Sequence, residues 1–320
     1  MNSIFWYRSG LFLLVIILGL GQSLRSQSLD TLHVFSVESP PQLREFFRHT
    51  PDRIPWVSAH RGGARKGYPE NCLATFEHTL QRTWAMMEVD PHYTRDSAIV
   101  LLHDDTLDRT TTGQGKVSDH TLAELKKLAL KDSEDQITSY TIPTLDEALA
   151  WARGKTMLML DRKDVPIEAR VAKIQEHHAQ AYAMVMAYSF EDARRCYALD
   201  KDIMMEVFIP DREAATRFEQ TGVPWKNVVA FVTHQRPKDK TICQYLHERG
   251  VMAIIGSSRT IDRAYAEDSI STQQLAKGYQ DILDLGADIM EADLAIEAGA
   301  ALRELVAAPS SKRQFFATRP

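Results

Sequence analysis

From Trp56 onward, short apolar runs alternate with amphipathic stretches. The runs predict strands over 56–59, 86–89, 99–102, 157–160, 183–187, 203–207, 228–232, 251–255 and 288–291. The stretches predict helices over 70–82, 121–130, 144–152, 166–178, 190–199, 212–220, 239–248, 275–284 and 294–306. Strand and helix in alternation is the signature of a parallel α/β sheet. No internal repeat and no low-complexity linker divides this region, so residues 56–306 read as one domain. Residues 307–320 read as a C-terminal tail. Residues 28–55 read as a leader segment, with Pro40, Pro41, Pro51 and Pro55 breaking regular structure.

Nine strands is one more than a TIM (β/α)8 barrel uses. The spacing identifies the extra one. Residues 90–98 are too few for a parallel crossover, which needs a dozen or more, but suit a hairpin. The segment 86–102 is therefore expected to fold back on itself near Asp96-Ser97, giving a β-hairpin extension after the second strand. A two-residue turn there pairs Asp90 with His103. Glu88, Asp90 and His103 would then share one face. Eight strands remain, which is consistent with a closed barrel.

The first residues read differently. Residues 11–21, LFLLVIILGLG, form an unbroken apolar run preceded by Arg8 and followed by GQSLRSQS. As a helix this run would rise only about 16 Å, short of the roughly 30 Å hydrocarbon core. A basic start, a short apolar stretch and small polar residues describe a secretory signal peptide over residues 1–27. Cleavage after Ser23, Ser26 or Gln27 is compatible with the text. The alternative is an uncleaved anchor extended by Ile4–Tyr7. Export implies a periplasmic or extracellular protein with no stable membrane span after cleavage.

Composition narrows the function classes. The chain has 320 residues, 44% hydrophobic and 25% charged, with a net charge of −5. These values are ordinary for a globular protein and exclude a disordered chain or a fibre. No basic excess exists to neutralise phosphates, so no nucleic-acid partner is expected. Cys72, Cys196 and Cys243 are too few and too scattered for a disulfide framework or a zinc site.

The polar residues at the strand ends carry the chemistry, because barrel sites lie at the carboxyl ends of the strands. The first strand ends in His60-Arg61-Gly62-Gly63, the second in Glu88-Val89-Asp90. The returning hairpin arm ends in His103-Asp104, and MLML ends in Asp161-Arg162-Lys163. Glu88, Asp90 and Asp161 are hard oxygen ligands suited to Ca²⁺ or Mg²⁺. Close together, they need a cation to remain ionised. Two histidines can serve as general acid and base near neutral pH. Arg61 and Lys163 are the fork and the point charge expected for a phosphate. Gly62 and Gly63 would let the backbone approach a ligand. Together these residues describe metal-assisted cleavage of a phosphate ester. Each pair alone has a bland reading as surface polarity or a weak ion pair. Four strand ends at one rim make that reading a fourfold coincidence. The remaining histidines, His234 among them, lack such a setting and read as structural or exposed.

At these residues the sequence resembles the glycerophosphodiester phosphodiesterase family. The matching text is HRGGARKGYPENCLATFEHTL from His60, EVDPHYTRDSAIVLLHDDTLDRTTTGQGKVSDHTLAEL from Glu88, IPTLDEAL from Ile142 and MLMLDRK from Met157. These segments cover most of residues 56–163. Beyond them the likeness is mainly the rhythm of strands and helices. The resemblance implies a TIM barrel with a divalent metal, Ca²⁺ or Mg²⁺. It implies hydrolysis of a small glycerophosphodiester to glycerol 3-phosphate and an alcohol. It assigns catalysis to His60 and His103, metal binding to Glu88, Asp90 and Asp161, and phosphate binding to Arg61 and Lys163. Glu70 and Asn71 match the family's Pro-Glu-Asn stretch.

Three departures bear on this. The family hairpin usually turns at Asp-Gly, and Asp96-Ser97 stands there instead, which can shift the register by one residue. The acid of the fourth motif is commonly Glu, and Asp161 is one methylene shorter. Ile254-Ile255-Gly256-Ser257 and Glu291-Ala292-Asp293 replace the family's Trp-Thr-x-Asn and Thr-Asp stretches, so the wall around the substrate differs. Two other readings stay open: a phospholipase C/D-like barrel acting on lipid phosphodiesters, and a catalytically retired barrel binding a phosphorylated ligand. The mostly polar stretch between His103 and Ile142 argues against the first. The intact ligand and histidine set argues against the second.

Overall fold

The computed structural model describes residues 31–307 and 309–320. The signal peptide read over 1–27 lies outside the described residues. Among the described residues, no helix is long and apolar enough to cross a membrane.

Eight strands close into an all-parallel barrel. In chain order they are β1 (Trp56–Ala59), β2 (Ala85–Val89), β3 (Leu158–Leu160), β4 (Ala183–Ala187), β5 (Met204–Phe208), β6 (Val228–Thr233), β7 (Ala253–Gly256) and β8 (Ile289–Ala292). Pairing of β8 with β1 closes the ring. The strands are near-continuous apolar text because the interior covers one face and helices the other. All five positions of AMVMA in β4 are buried. Caps set several helix starts. Thr144 with Glu147, and Ser271 with Gln274, form reciprocal capping boxes, and the Asp211 side chain accepts from the Ala214 N–H.

Several predicted bounds shift by a few residues, and two differences have a visible cause. The helix expected from residue 70 starts at Leu73, since Asn71 holds a left-handed backbone (φ 54°) that no helix accommodates. The helix expected over 121–130 is a single turn, Leu122–Leu125. It is followed by a strand, Ala129–Lys131, antiparallel to Ile137–Thr141. Leu125 and Leu130 enter the same small core, with Val100, Leu102, Leu107, Val117 and Ile142. Five residues apart on one helix, they would point about 140° away from each other.

The hairpin extension is present, formed by Pro91–Tyr93 and Ile99–Leu101. Its register is one residue off the expected one. Tyr93 pairs with Ile99, and the loop is Arg95-Asp96-Ser97, with Ser97 at φ 63° in the place a glycine would take. Asp90 therefore faces Leu102, whose N–H donates to the Asp90 carbonyl at 2.9 Å. The predicted pairing of Asp90 with His103 does not occur. His103 lies just past the ladder, where the chain leaves it.

The segments read as leader and tail pair with each other. Leu32–Phe35 runs antiparallel to Phe316–Arg319. With the helix Pro40–Phe47 they pack Phe35, Phe46, Phe47 and Phe316 around Trp56, the first residue of β1. The amino end of the barrel is thus plugged by aromatic rings. The carboxyl end is left open.

Candidate active site

At that open end lies a cavity of about 400 Å³. His60, Arg61, Glu88, His103, Asp161 and Lys163 all line it, and Asp90 joins Glu88 and Asp161 at its edge. Every residue singled out from the sequence therefore belongs to one site. Local backbone explains much of this. After β1 the chain makes a tight turn in which Arg61 takes φ 51° and Gly62 φ 84°. The turn aims the Arg61 N–H at Glu88 Oε2, at 2.8 Å. A non-glycine residue in such a conformation is held there by its surroundings. A Cβ at Gly62 would fall 2.3 Å from the Phe76 ring, so close packing of the following helix also requires the glycine.

Glu88, Asp90 and Asp161 bring one carboxylate oxygen each within 4.8 Å of one another. All three are buried. Burial and the neighbouring Asp90 push the Glu88 carboxyl well above its usual range. Burial would raise Asp90 too, but Lys163, His103 and the Asn71 amide hold it low. Asn71 makes a reciprocal pair, donating to Asp90 Oδ2 at 2.6 Å and accepting from the Asp90 N–H at 3.0 Å. The Lys163 ammonium lies 2.9 Å from Asp90 Oδ1 and 2.7 Å from Asp161 Oδ2. Three buried hard oxygens held this close fit a divalent cation, which would lift the repulsion that now raises Glu88.

The histidines are each held by an aspartate. His60 Nδ1 is 2.6 Å from Asp293 Oδ1, and His103 Nδ1 is 2.7 Å from Asp104 Oδ1. Both rings so direct Nε2 away from the aspartate. Burial lowers both. At His60 the Asp293 bond and the charges of Glu88 and Glu291 overcome it, raising the pKa to about 10. At His103 burial prevails, helped by Arg61 and Lys163, and the pKa falls. Arg109 extends the His103 side. Its Nε donates to Asp104 Oδ2 at 2.7 Å and its two terminal nitrogens reach Glu70 at 3.0 and 2.8 Å. Glu70 also accepts from Arg61 at 3.1 Å, while Arg61 Nε is buried without a partner. Glu70 thus orients the Arg61 guanidinium, whose Nε stays unpartnered.

The far half of the cavity holds residues assigned no role from the sequence, Glu291 having been named only within a departing stretch. Glu206 on β5 and Glu291 on β8 are buried carboxylates. Burial raises both pKa values. His234 is corrected from structural or exposed to a cavity residue, with Nδ1 3.6 Å from Glu291. Gly256 makes room for it: a Cβ there would sit 2.4 Å from His234 Nδ1. Tyr188 donates to Asp161 Oδ1 at 2.5 Å. A signal for Glu206 existed. The tetrapeptide MMEV of β2, which carries Glu88, recurs in β5 around Glu206.

The chain is similar to known proteins over most of its length. A family model described as the glycerophosphoryl diester phosphodiesterase family matches residues 60–281. The crystal structure of a glycerophosphoryl diester phosphodiesterase from Parabacteroides distasonis is 42% identical. It covers 90% of this chain and 100% of its own, with a TM-score of 0.86. An Oleispira antarctica phosphodiesterase, solved with the product sn-glycerol-3-phosphate, is 25% identical, covers 78% of this chain and 97% of its own, and has a TM-score of 0.58. The glycerophosphodiester phosphodiesterase of Caldanaerobacter subterraneus is 33% identical over 138 residues, 42% of this chain and 54% of that one. Human glycerophosphodiester phosphodiesterase 1 is 39% identical over 123 residues, 37% of each chain. This chain spans about half or less of the length of these two relatives.

Proposed function

Since the chain belongs to the glycerophosphoryl diester phosphodiesterase family, we propose that it hydrolyses glycerophosphodiesters to glycerol 3-phosphate and a free alcohol. One observation carries the reading: two aspartate-held histidines, three clustered carboxylates, an arginine and a lysine line or border a single cavity. The relative solved with sn-glycerol-3-phosphate supports the same product.

Glu88, Asp90 and Asp161 would hold Ca²⁺ or Mg²⁺, which supplies charge to offset the developing negative charge on phosphate oxygens. Arg61 and Lys163 bind and orient the phosphodiester. One of His60 and His103 takes the proton from the glycerol hydroxyl beside the phosphoester as that oxygen attacks phosphorus. The other gives a proton to the departing alcohol oxygen as its bond to phosphorus breaks. Water then opens the cyclic phosphate with the two roles exchanged. Asp293 and Asp104 fix the rings and stabilise the imidazolium forms. We further read residues 1–27 as an export signal that delivers the barrel to the periplasm or the cell exterior.

The test is release of glycerol 3-phosphate from glycerophosphocholine and glycerophosphoethanolamine by the purified protein, in EDTA and then with Ca²⁺ or Mg²⁺. Metal-dependent release is expected. Full activity in excess EDTA rejects the metal role, and silence with both metals rejects the substrate class. N-terminal sequencing of the exported protein tests cleavage, with a mature start after residue 23, 26 or 27 expected.

A further inference from the structure

The cavity is not uniform around its rim. Near β1–β3 a positive or donor group stands against each buried carboxylate: the Arg61 N–H on Glu88, and Lys163 on Asp90 and Asp161. The wall of β4–β6 is built otherwise. Parallel pairing sets Met186 beside Glu206 and Glu206 beside Val229. The next row, two residues further along each strand and on the same face, is Tyr188, Phe208 and Phe231. Their ring centroids are 5.0 Å apart in each step, and His234 continues the arc at 4.7 Å from Phe231. An arc of rings therefore stands over a carboxylate. Glu206 is 1% exposed, and its Oε1 accepts no hydrogen bond. The charges that act on it, from Glu291, Asp161 and Glu88, are all negative.

We propose that this wall is the subsite for the leaving alcohol, and that Glu206, beneath Tyr188, Phe208 and Phe231, selects alcohols bearing an ammonium or quaternary ammonium group. The inference rests on the hydrolysis reading above and names its preferred substrate class. Aromatic faces attract a cation through the ring quadrupole, most strongly when it is desolvated. A buried carboxylate lacking a partner gains more from an incoming cation than a satisfied one does. A neutral head group supplies neither term and leaves Glu206 unpaired. The Arg162 guanidinium lies 4.9 Å from the Tyr188 ring centroid, so that ring already packs one cation. Phosphate on the Arg61 and Lys163 side and the cation on the β5 side can be met by one molecule across a single 400 Å³ cavity.

The experiment compares kcat/KM on glycerophosphocholine, glycerophosphoethanolamine and glycerophosphoglycerol for the metal-loaded full chain, Glu206→Gln and Phe208→Leu. The wild type is expected to favour the two cationic diesters. Glu206→Gln should lower the cationic-to-neutral ratio about tenfold, mainly through KM, as expected for a lost contact to a desolvated cation. Phe208→Leu keeps apolar bulk but removes a ring, and should lower the ratio by a smaller factor in the same direction. An equal fall on all three diesters in Glu206→Gln overturns the inference and assigns Glu206 to the glycerol phosphate they share. A wild type active on glycerophosphoglycerol with no cationic preference also overturns it, while the hydrolysis reading stands. A wild type silent on all three diesters overturns the hydrolysis reading, and the inference falls with it.

Discussion

Asp288, just before β8 at the amino end of the barrel, and Glu206, on β5 toward the carboxyl end, are both fully buried carboxylates in opposite surroundings. Asp288 Oδ1 accepts from Arg53 Nε at 2.5 Å and lies 3.1 Å from His49 Nδ1. Its Oδ2 accepts from the Ala253 N–H at 2.7 Å and lies 2.8 Å from His247 Nε2. Burial alone would raise its pKa, yet the His247 and His49 bonds pull it below the usual carboxylate range. Glu206 has an oxygen with no donor, and burial drives its pKa up. At the plugged end the fold satisfies its buried charge from within. At the open end it leaves acceptors free for whatever enters. A buried acid satisfied by the fold supports the fold, and one left unsatisfied marks a place for a ligand.

This contrast is broken most sharply at the histidines. His60→Ala and His103→Ala should each reduce kcat/KM by about 10² to 10⁴, the range for a lost general acid or base. Thermal melts should show both variants folded. Normal turnover in either removes that residue from the chemistry. At the other end the expectation inverts. Asp288→Ala strands His49, His247 and Arg53 around a void and should cost about 3–5 kcal/mol in urea unfolding. Activity per folded molecule should persist. A variant as stable as the wild type would show that this cluster holds nothing together.

Acid separates the two ends by sign. Asp288 titrates lower in the folded than in the unfolded state. Its contribution is present above the unfolded pKa of about 3.9 and is lost as pH falls through the folded value. The stability gap between wild type and Asp288→Asn should therefore be full at pH 6 and shrink below about pH 4. Glu206 titrates higher when folded, so it stabilises least at high pH. In metal-stripped protein, Glu206→Gln should gain about 1–3 kcal/mol at pH 8 and nothing near pH 4, read by urea titration. A gap independent of pH would mean Glu206 is satisfied in solution. The smallest effect is on melting temperature. Millimolar Ca²⁺ or Mg²⁺ should raise it by a few degrees in the wild type, through binding to the folded state alone. The rise should vanish in Glu88→Gln. An equal rise in both would place the cation elsewhere.

The strand count of the barrel and the near half of the cavity were readable from residue order alone. Strand and helix leave periodic traces, and a polar residue at the end of an apolar run marks a rim position. His60, Glu88, Asp90, His103 and Asp161 were legible for that reason. The hairpin was legible from length, because nine residues cannot make a parallel crossover. Its register was not, since a serine can take the left-handed position of a three-residue loop and nothing local forbids it. The strand Ala129–Lys131 was hidden for a similar reason: the Thr121 and Glu124 capping signal starts a helix, and only the second core decides where Leu130 goes. The far wall depends on how the strands come together. Glu206, Glu291 and His234 sit inside or just beyond strands, and facing direction depends on how eight strands tilt and close. Pairings such as His60 with Asp293 join residues 233 positions apart. A chain states which residues it carries, but contacts across that separation exist only once the barrel has shut.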